Sequence, residues 1–183
     1  MIIRLLFFTT FLFLSNWCAA DSAARVYPLH LQETYRQDQT WKTLRDRRGF
    51  LWLATDNGLR RYDGYQFQFF THNKQDPNTI GLGNIHALLE DQHGTLWAGG
   101  LALNRFNALT ETFTRYTISD GKTIYALFED AEGNIWLGGT SLGLQRFDPR
   151  SESVTASFFN DGNDALSIFS IKPRRNTNEL WLT

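Results

Sequence analysis

The sequence predicts an all-β fold, and three observations support this prediction. Aromatic residues make up 15% of the chain, and bulky aromatic side chains favour strands. Short runs of alternating apolar and polar residues are separated by glycine-containing turns, as in antiparallel sheets. A tryptophan-centred motif returns after 45, 39 and again 45 residues, which indicates a structural repeat.

The three complete copies of the motif consist of Asp, two residues, Gly, two residues and Trp. An Asp side chain accepts hydrogen bonds from the backbone N–H groups that follow it, and Gly adopts a positive φ without strain. Each copy therefore predicts a tight hairpin whose second strand carries the Trp. The structural repeat positions are Asp46, Gly49, Trp52, Asp91, Gly94, Trp97, Asp130, Gly133, Trp136 and, in a degraded fourth copy, Trp181.

Each hairpin belongs to a predicted unit of four antiparallel strands, the size of one propeller blade. Because a lone sheet with two apolar faces is not stable, we expect neighbouring blades to stack and bury Trp and Phe side chains between them. The fold class is therefore an incomplete β-propeller with about three and a half blades. The blades are predicted at residues 40–71, 85–117, 124–159 and, truncated, 168–183. The first strands of the second and third blades are expected at Ile85–Glu90 and Ile124–Glu129.

Residues 1–20 have the layout of a secretory signal peptide, with one positive charge, the apolar run Leu5–Leu14 and a small, polar end. Cleavage is expected after Ala20 or Ala24. The apolar run is shorter than the roughly 20 residues of a membrane-spanning helix, although an uncleaved anchor and a lipoprotein cysteine at Cys18 are alternatives. Residues 21–39 are expected to form an N-terminal strand or linker.

The charge balance and the cysteine count exclude some functions. Lys and Arg total 18 and Asp and Glu total 19, so the net charge is −1. Nucleic-acid binding has no electrostatic support, because the chain offers no basic field to a phosphate backbone. The single cysteine lies in the leader, so the exported chain is expected to have no disulfide.

No residue is predicted to be catalytic, to bind a cofactor or to ligate a metal. The histidines, which include His86 and His93, lack the spacing of metal ligands. No serine lies in a nucleophile motif, and the sequence contains no glycine-rich phosphate loop. Each repeated Asp is therefore interpreted as a turn residue rather than a calcium ligand.

Two runs of residues leave alternatives open. The first run is basic and is interpreted as a solvated turn and strand edge, with recognition of an acidic ligand as the alternative. It consists of Arg45, Arg47, Arg48, Arg60 and Arg61. The aromatic run Tyr62–Phe70 is interpreted as core between blades, with stacking on a sugar as the alternative.

The repeat resembles the two-component regulator propeller repeat. The resemblance rests on LRDRRGFLWLATDNGLRRYDGYQF, LLEDQHGTLWAGG and LFEDAEGNIWLGGTSLGLQRFD, and it covers about residues 40–183. In that family, such repeats build a periplasmic sensor region. This region usually precedes a membrane helix and a cytoplasmic histidine kinase or diguanylate cyclase.

The resemblance implies a periplasmic sensory input module that binds a signal ligand without catalysis. The ligand is unknown, with carbohydrate as a candidate. The module would reach the membrane only through downstream segments, and a receptor homodimer is a candidate assembly. The two alternatives are a fragment of a secreted propeller enzyme, such as a polysaccharide lyase or hydrolase, and a passive protein-interaction scaffold.

The chain departs from the family pattern at several points. The second unit reads Leu101–Leu103 where the family has a Gly before its third strand. In the fourth unit, Arg175 and Asn178 replace the Asp and Gly of the motif. The chain stops at Thr183, and a closed ring needs at least about four blades. We therefore expect an N-terminal fragment of a longer receptor.

Overall fold

The computed structural model describes residues 38–159, 166–174 and 179–183. The predicted leader and nearly all of the predicted linker 21–39 lie outside these residues. Arg175 and Asn178 of the fourth repeat also lie outside them.

All regular structure in the described part of the chain is β-strand, in three four-stranded sheets and one two-stranded sheet, all antiparallel. The first sheet contains β1 (Thr40–Arg45), β2 (Leu51–Thr55), β3 (Gly58–Tyr62) and β4 (Phe67–Phe70). The second contains β5 (Ala87–Glu90), β6 (Leu96–Gly99), β7 (Leu103–Asn107) and β8 (Thr112–Tyr116). The third contains β9 (Ile124–Glu129), β10 (Ile135–Gly139), β11 (Gly143–Asp148) and β12 (Ser153–Phe158). The fourth contains β13 (Ile171–Pro173) and β14 (Leu180–Leu182).

The four sheets follow one another as propeller blades in an open array. The predicted all-β, incomplete propeller is therefore confirmed. Among the described residues, no helix has the length and hydropathy required to span a membrane.

Apolar clusters join each sheet to the next. The first two sheets share a cluster that includes Trp52, Leu59, Phe70, Leu96, Ala98 and Phe106. The second and third share Trp97, Leu103, Tyr116, Ile135, Leu137 and Phe147. The third and fourth share Ala126, Leu144, Ile168 and Ile171. Alternate residues of a strand point to opposite faces, so the adjacent residues Leu96 and Trp97 belong to different clusters and the second sheet is apolar on both faces.

A backbone hydrogen bond also joins each blade to the blade before it. The N–H to carbonyl pairs are Ile85 to Thr55 at 2.9 Å, Ile124 to Gly100 at 2.8 Å and Ile168 to Gly139 at 3.1 Å. Small residues beside these bonds set how closely the blades approach. A Cβ at Gly99 would lie 2.7 Å from Cγ2 of Ile124, and one at Gly138 would lie 2.6 Å from Cγ2 of Ile168.

The first strand of the second blade begins later than predicted. Strand β5 begins at Ala87 rather than at Ile85. The N–H of Ile85 is engaged by the first sheet, as described above, and the N–H of His86 donates to the carbonyl oxygen of Gly99 at 2.8 Å. These two residues therefore lead into the ladder instead of forming part of it. Strand β9 has the predicted bounds.

The second blade also makes its β6–β7 turn without the family's glycine. In the other two complete blades, Gly58 and Gly143 have φ values of 92° and 68°, which favour a residue without a Cβ. Residues 100–102 of the second blade include none with a positive φ. Ala102 is therefore compatible with this turn.

Replacing Trp97 by Ala is expected to lower the free energy of unfolding by about 3–5 kcal/mol. Trp97 is 1% exposed, and its ring contacts those of Tyr116 and Phe147. Urea denaturation followed by circular dichroism measures the change. Trp181→Ala is the matched control, because Trp181 is 60% exposed and its loss should cost about 1 kcal/mol or less. Equal losses in the two variants would contradict the assignment of Trp97 to the core.

Candidate functional site

In each complete repeat, one Asp carboxylate holds both the hairpin turn and the tryptophan, a unit that we call the Asp–Trp clasp. Its Oδ2 accepts a hydrogen bond from the indole Nε1–H, and its Oδ1 accepts one from the backbone N–H four residues later. The indole bonds join Trp52 to Asp46 at 2.8 Å, Trp97 to Asp91 at 2.9 Å and Trp136 to Asp130 at 2.8 Å. The backbone donors are Phe50 at 2.9 Å, Thr95 at 2.8 Å and Asn134 at 2.8 Å.

The glycine of the motif closes the same turn. Gly49, Gly94 and Gly133 have φ values of 94°, 81° and 84°, where a Cβ would cause strain. The N–H of each donates to the carbonyl oxygen of the Asp three residues earlier, at 2.9, 2.9 and 3.1 Å respectively. The Asp and Gly thus form one turn in each repeat.

The bond between the indole and the carboxylate was not predicted from the sequence. The motif predicted a turn role for the Asp and a packing role for the Trp, with no link between their side chains. The signal that could have revealed the bond is the constant separation of six residues. A buried indole N–H requires an acceptor, and the Asp is an acceptor that recurs at this fixed distance.

The four repeat tryptophans differ in burial. Trp52 and Trp97 are each 1% exposed, whereas Trp136 is half-buried and Trp181 is 60% exposed. The reason is the neighbouring sheet. Trp52 and Trp97 each face a four-stranded blade, whereas the described residues that face Trp136 belong to the short sheet of β13 and β14. Trp181 lies in the last described sheet, which no further described sheet covers, so its exposure does not test the expected burial of tryptophans between blades.

The environment of Asp130 favours its charged form. Burial raises the pKa of this carboxyl, but hydrogen bonds from the Asn134 side chain and backbone, the Trp136 indole and the Glu132 backbone outweigh burial. The pKa of Asp130 is consequently lower than its ordinary value of 3.8. A charged acceptor makes stronger hydrogen bonds than a neutral one, so ionisation strengthens the clasp.

An arginine of each third strand covers the repeat tryptophan. Register pairs Trp52 with Arg61, Trp97 with Arg105 and Trp136 with Arg146. The guanidinium carbon lies 5.6, 6.0 and 5.9 Å from the respective indole rings. This geometry is that of a cation–π contact. The arginine therefore adds an electrostatic attraction to the apolar contact.

At two interfaces, this arginine also binds a glutamate of the next blade, and we call the pair the Arg–Glu latch. Arg61 lies 2.7 Å from a carboxylate oxygen of Glu111, and Arg105 lies 2.8 Å from one of Glu152. Both glutamates have a positive φ, of 56° and 54° respectively, in the turn before the fourth strand. Because each latch spans two sheets, it links consecutive blades directly.

Neighbouring groups tune the second latch. A hydrogen bond from the Tyr116 hydroxyl, together with Arg105, lowers the pKa of Glu152. Conversely, burial and the hydrogen bond to Glu152 raise the pKa of Tyr116 to about 12. Tyr116 is therefore neutral and acts as a donor over the physiological range.

A second polar link lies at the Asp turns. The two carboxylate oxygens of Glu90 accept from the backbone N–H of Arg47, each at 3.1 Å. Glu129 accepts from the backbone N–H of Gln92 at 2.7 Å. Each bond again joins one blade to the next, so the turn of one repeat is held by the first strand of its successor.

The interpretation of the basic run as solvated is wrong for two of its members. Arg60 is 5% exposed and forms an ion pair with Asp38. Arg61 has an 11% exposed side chain in the first latch. Arg47 remains on the surface, with a 58% exposed side chain. The alternation of strand β3 places its two arginines on opposite faces, both of them covered.

The aromatic run Tyr62–Phe70 divides between core and surface. Phe70 packs in the cluster between the first two sheets. Tyr62 and Phe67 stack at 4.7 Å and are half-buried, whereas Tyr65 is 96% exposed. The interpretation as core between blades is therefore correct for Phe70 and wrong for Tyr65.

A groove of about 610 Å³ lies between the third and fourth sheets. Trp136, Arg146, Pro173 and Leu180 are among its lining residues. In the fourth sheet, the described strand β13 contacts the inner strand β9 of the third sheet. The two described strands of the fourth sheet leave the outer part of the third sheet uncovered.

Within residues 38–159, 166–174 and 179–183, no group of three or more His, Cys, Asp or Glu side chains is placed to hold a metal ion. The three clasp carboxylates already accept hydrogen bonds from N–H donors. Their chemistry is therefore that of turn formation.

Stacked four-stranded sheets with a recurring clasp define a propeller-repeat protein. Residues 118–141 match the family model described as two component regulator propeller, and they contain the third copy of the motif. The resemblance stated from the sequence is therefore confirmed by this match within the third repeat. No curated protein matches the chain in sequence.

Two solved structures of an extracellular domain share the fold. The extracellular domain of BT4673 from B. thetaiotaomicron, described as a one component system, has a TM-score of 0.65 and 20% identity over 79% of this chain. A second structure, in which BT4673 is described as a hybrid two component system, has a TM-score of 0.59 and 20% identity over 78%. This chain covers only 22% and 20% of those two chains.

An enzyme structure also shares the fold. A catalytically inactive variant of virginiamycin B lyase from Staphylococcus aureus, solved with quinupristin, has a TM-score of 0.66 and 14% identity over 84% of this chain. The chain covers 51% of that enzyme. At these levels of identity, the likenesses show the fold alone.

Replacing Asp130 by Asn tests the clasp through its pH dependence. Because the pKa of Asp130 is lowered on folding, its stabilising effect is complete well above pH 3.8 and is lost as the pH falls through the folded-state pKa. The variant should be about 1–3 kcal/mol less stable than the wild type at pH 6, and this gap should narrow towards about pH 3. Urea denaturation across this range measures it. Asp120→Asn, in an exposed turn, is the control, and a gap that stays constant with pH would contradict the charged clasp.

A double-mutant cycle on Arg105 and Glu152 tests the latch. Their side chains are 33% and 47% exposed, so we expect the small, favourable coupling energy of a solvent-accessible ion pair. The coupling from Arg105→Met and Glu152→Gln should shrink at about 1 M NaCl, because salt screens exposed charges. Arg150→Met combined with Glu152→Gln is the matched control cycle. A coupling for Arg105 that is zero, or that salt leaves unchanged, would contradict an electrostatic latch.

Proposed function

We propose that this chain is the sensory input module of an exported receptor of the two-component or cyclic-di-GMP type. In this proposal, the module binds a signal ligand and performs no catalysis. The observation that carries the proposal is the match of residues 118–141 to the two component regulator propeller model. The shared fold of the BT4673 extracellular domain adds support.

The contacts between blades suit a signalling role. Each complete interface combines an apolar cluster with directional polar links, the Arg–Glu latch and the Glu-to-turn bond. A ligand that contacts two or more blades would favour one relative arrangement of them. Since a ligand shifts a population only through its differential affinity, such a bridging ligand could change the state of the receptor.

The proposal places the module in the periplasm. Residues 1–20 would direct export, residues 21–39 would form a strand or linker, and residues 40–183 would form the propeller part. The full-length receptor would be anchored in the inner membrane by segments beyond the present chain and would act as a homodimer. The extracellular origin of the BT4673 domains supports this location.

A secreted propeller enzyme is the second candidate. The likeness to virginiamycin B lyase, with a TM-score of 0.66, is the observation that favours it. The described clasp carboxylates, however, are already engaged in turns, which favours the sensor. Turnover of a periplasmic glycan by the full-length protein would favour the enzyme over the sensor.

An alkaline phosphatase fusion after Thr183 tests export, because that enzyme is active only outside the cytoplasm. We expect activity from the wild-type fusion and its loss in the double variant Phe8→Arg and Leu12→Arg, since two charges interrupt the apolar run of the leader. Gln32→Arg with Gln37→Arg is the matched control, with the same added charge outside the leader. Equal activity in all three fusions would contradict export by residues 1–20.

The sensor role is tested in the complete gene and its product. Beyond codon 183, we expect further propeller repeats, a membrane-spanning segment and a kinase or cyclase. An unrelated enzyme module in that place would contradict the proposal. In the full-length receptor, the output activity should change when ligand is added. An output that never responds to a ligand would favour the passive scaffold.

A further inference from the structure

In the first and second sheets, the face that the next blade covers carries three characteristic groups, and the third sheet carries them too. They are the repeat tryptophan, an aromatic ring of the fourth strand beside it, and the arginine that lies over the indole. The ring pairs are Trp52 with Phe70 at 5.5 Å, Trp97 with Tyr116 at 6.1 Å and Trp136 with Phe158 at 6.1 Å. We call Trp136, Phe158 and Arg146 the third-sheet triad.

The third-sheet triad is only partly covered. Phe70 and Tyr116 are each 9% exposed, whereas Phe158 is 45% exposed. The groove of about 610 Å³ described above runs beside Trp136 and Arg146. The triad therefore has the geometry of a blade interface, without the cover that the other two interfaces have in the described part of the chain.

In the two complete interfaces, this cover comes from the outer half of the next blade. A phenylalanine of its third strand contacts the indole, and a glutamate of the following turn binds the arginine in the Arg–Glu latch. The ring centroids lie 5.0 Å apart for Phe106 and Trp52 and 5.9 Å apart for Phe147 and Trp97. Glu111 and Glu152 each lie five residues after these phenylalanines. The covering element is thus a hairpin with a fixed spacing from Phe to Glu.

The fourth sheet already provides the inner half of such a blade. Among the described residues, β14 pairs with β13 alone, so its other edge leaves backbone N–H and C=O groups for a third strand. The Nε of Arg146 donates to Oγ1 of Thr155 at 3.0 Å, and no carboxylate in the described ranges forms an ion pair with this arginine. A strand and a carboxylate would therefore complete the site.

The first sheet of a second copy does not offer the required hairpin. Register aligns the turns Asp63–Phe67, Asn107–Phe113 and Asp148–Val154. The first of these turns is two residues shorter than the other two. The residue five positions after Tyr62 is consequently Phe67 rather than a glutamate. Docking of this sheet would leave Arg146 without a carboxylate.

We propose that the groove beside the third-sheet triad binds a β-hairpin that carries a phenylalanine for Trp136 and, five residues later, a glutamate for Arg146. The first strand of this hairpin adds to the open edge of β14, as in other cases of strand addition. The occupant is the outer half of the fourth blade, encoded directly after Thr183. The inference rests on the proposed function, because it takes the chain to continue as a propeller receptor.

A full chain extended by a copy of its own hairpin tests this site. Residues 139–158 are appended directly after Thr183, because Gly138 and Thr183 both lie two residues after a repeat tryptophan. The copy contains Phe147 and Glu152. We expect it to raise the midpoint of thermal unfolding by at least about 2–4 °C, the shift that a modest gain in stability gives a chain of this size.

Matched variants separate the latch from general packing. Phe147→Ala in the appended copy should remove most of the rise, and Glu152→Gln in that copy should reduce it. In an Arg146→Met background, the Glu and Gln copies should stabilise the chain equally. Residues 55–70 of the first sheet, appended in the same way, are the control hairpin. They lack a glutamate and should give a smaller rise.

The codons beyond Thr183 provide an independent test that needs no variant. Glu111 and Glu152 lie 14 and 16 residues after the tryptophan of their own repeat. We therefore expect a glutamate 14–16 residues after Trp181, with an aromatic residue five positions before it. A lysine or arginine in place of this glutamate, or the absence of the aromatic residue, would overturn the inference.

Other outcomes would also overturn it. These are no rise in the unfolding midpoint with residues 139–158, and an equal rise with the Glu152→Gln copy or with the control hairpin. Sedimentation that shows a dimer of the unextended chain, lost in Arg146→Glu, would assign the groove to a second copy instead.

The failure of this inference can be distinguished from the failure of the proposed function. If the complete gene encodes a membrane receptor and the appended hairpin does not stabilise the chain, the groove is not the site, yet the sensor role stands. If the hairpin stabilises the chain through Arg146 and the gene continues into an unrelated enzyme module, the site stands and the sensor role fails.

Discussion

The hydrogen bond from a buried indole to a turn carboxylate is the interaction on which the rest of the structure depends. A buried N–H without an acceptor would cost about 1–3 kcal/mol, and the Asp removes that penalty at Trp52 and Trp97 while shaping the preceding turn. The bulkiest apolar side chain of each blade can then be placed in the interface. Without this acceptor, the face that the next blade covers would carry an unsatisfied polar group.

Placing the indole in the interface creates a second constraint, because an arginine of the third strand covers each indole and itself needs a partner. A guanidinium held over a buried ring is stabilised by a charged partner, and in the described latches this partner does not come from the blade that carries the ring. Glu111 and Glu152 come from the following blade. The polar chemistry of each interface is therefore completed only when the next blade is in place. The direction is the same at both interfaces, from the third strand of one sheet to the outer turn of the next.

Features that depend on local sequence were predictable, and features that depend on register were not. The Asp–Gly turns and the repeat period follow from short-range spacing, so the sequence alone predicts the sheets. The burial of Arg60 and Arg61 was not expected, because strand alternation decides which face each residue covers. The Ile85–Glu90 strand was too long because a backbone bond to another blade takes up its first residue.

Because the arginine-to-glutamate contacts run in the same direction at both interfaces, blades can be added to such an array. Each complete blade presents an arginine on its forward side, and the second and third present a glutamate on the side facing back. An extra copy produced by tandem duplication of the second blade would meet compatible groups on both of its flanks. New blades could thus be inserted without changes to the blades that are already present. The same arrangement of charges disfavours a blade that is inserted in the opposite orientation, because arginine would then face arginine and glutamate would face glutamate.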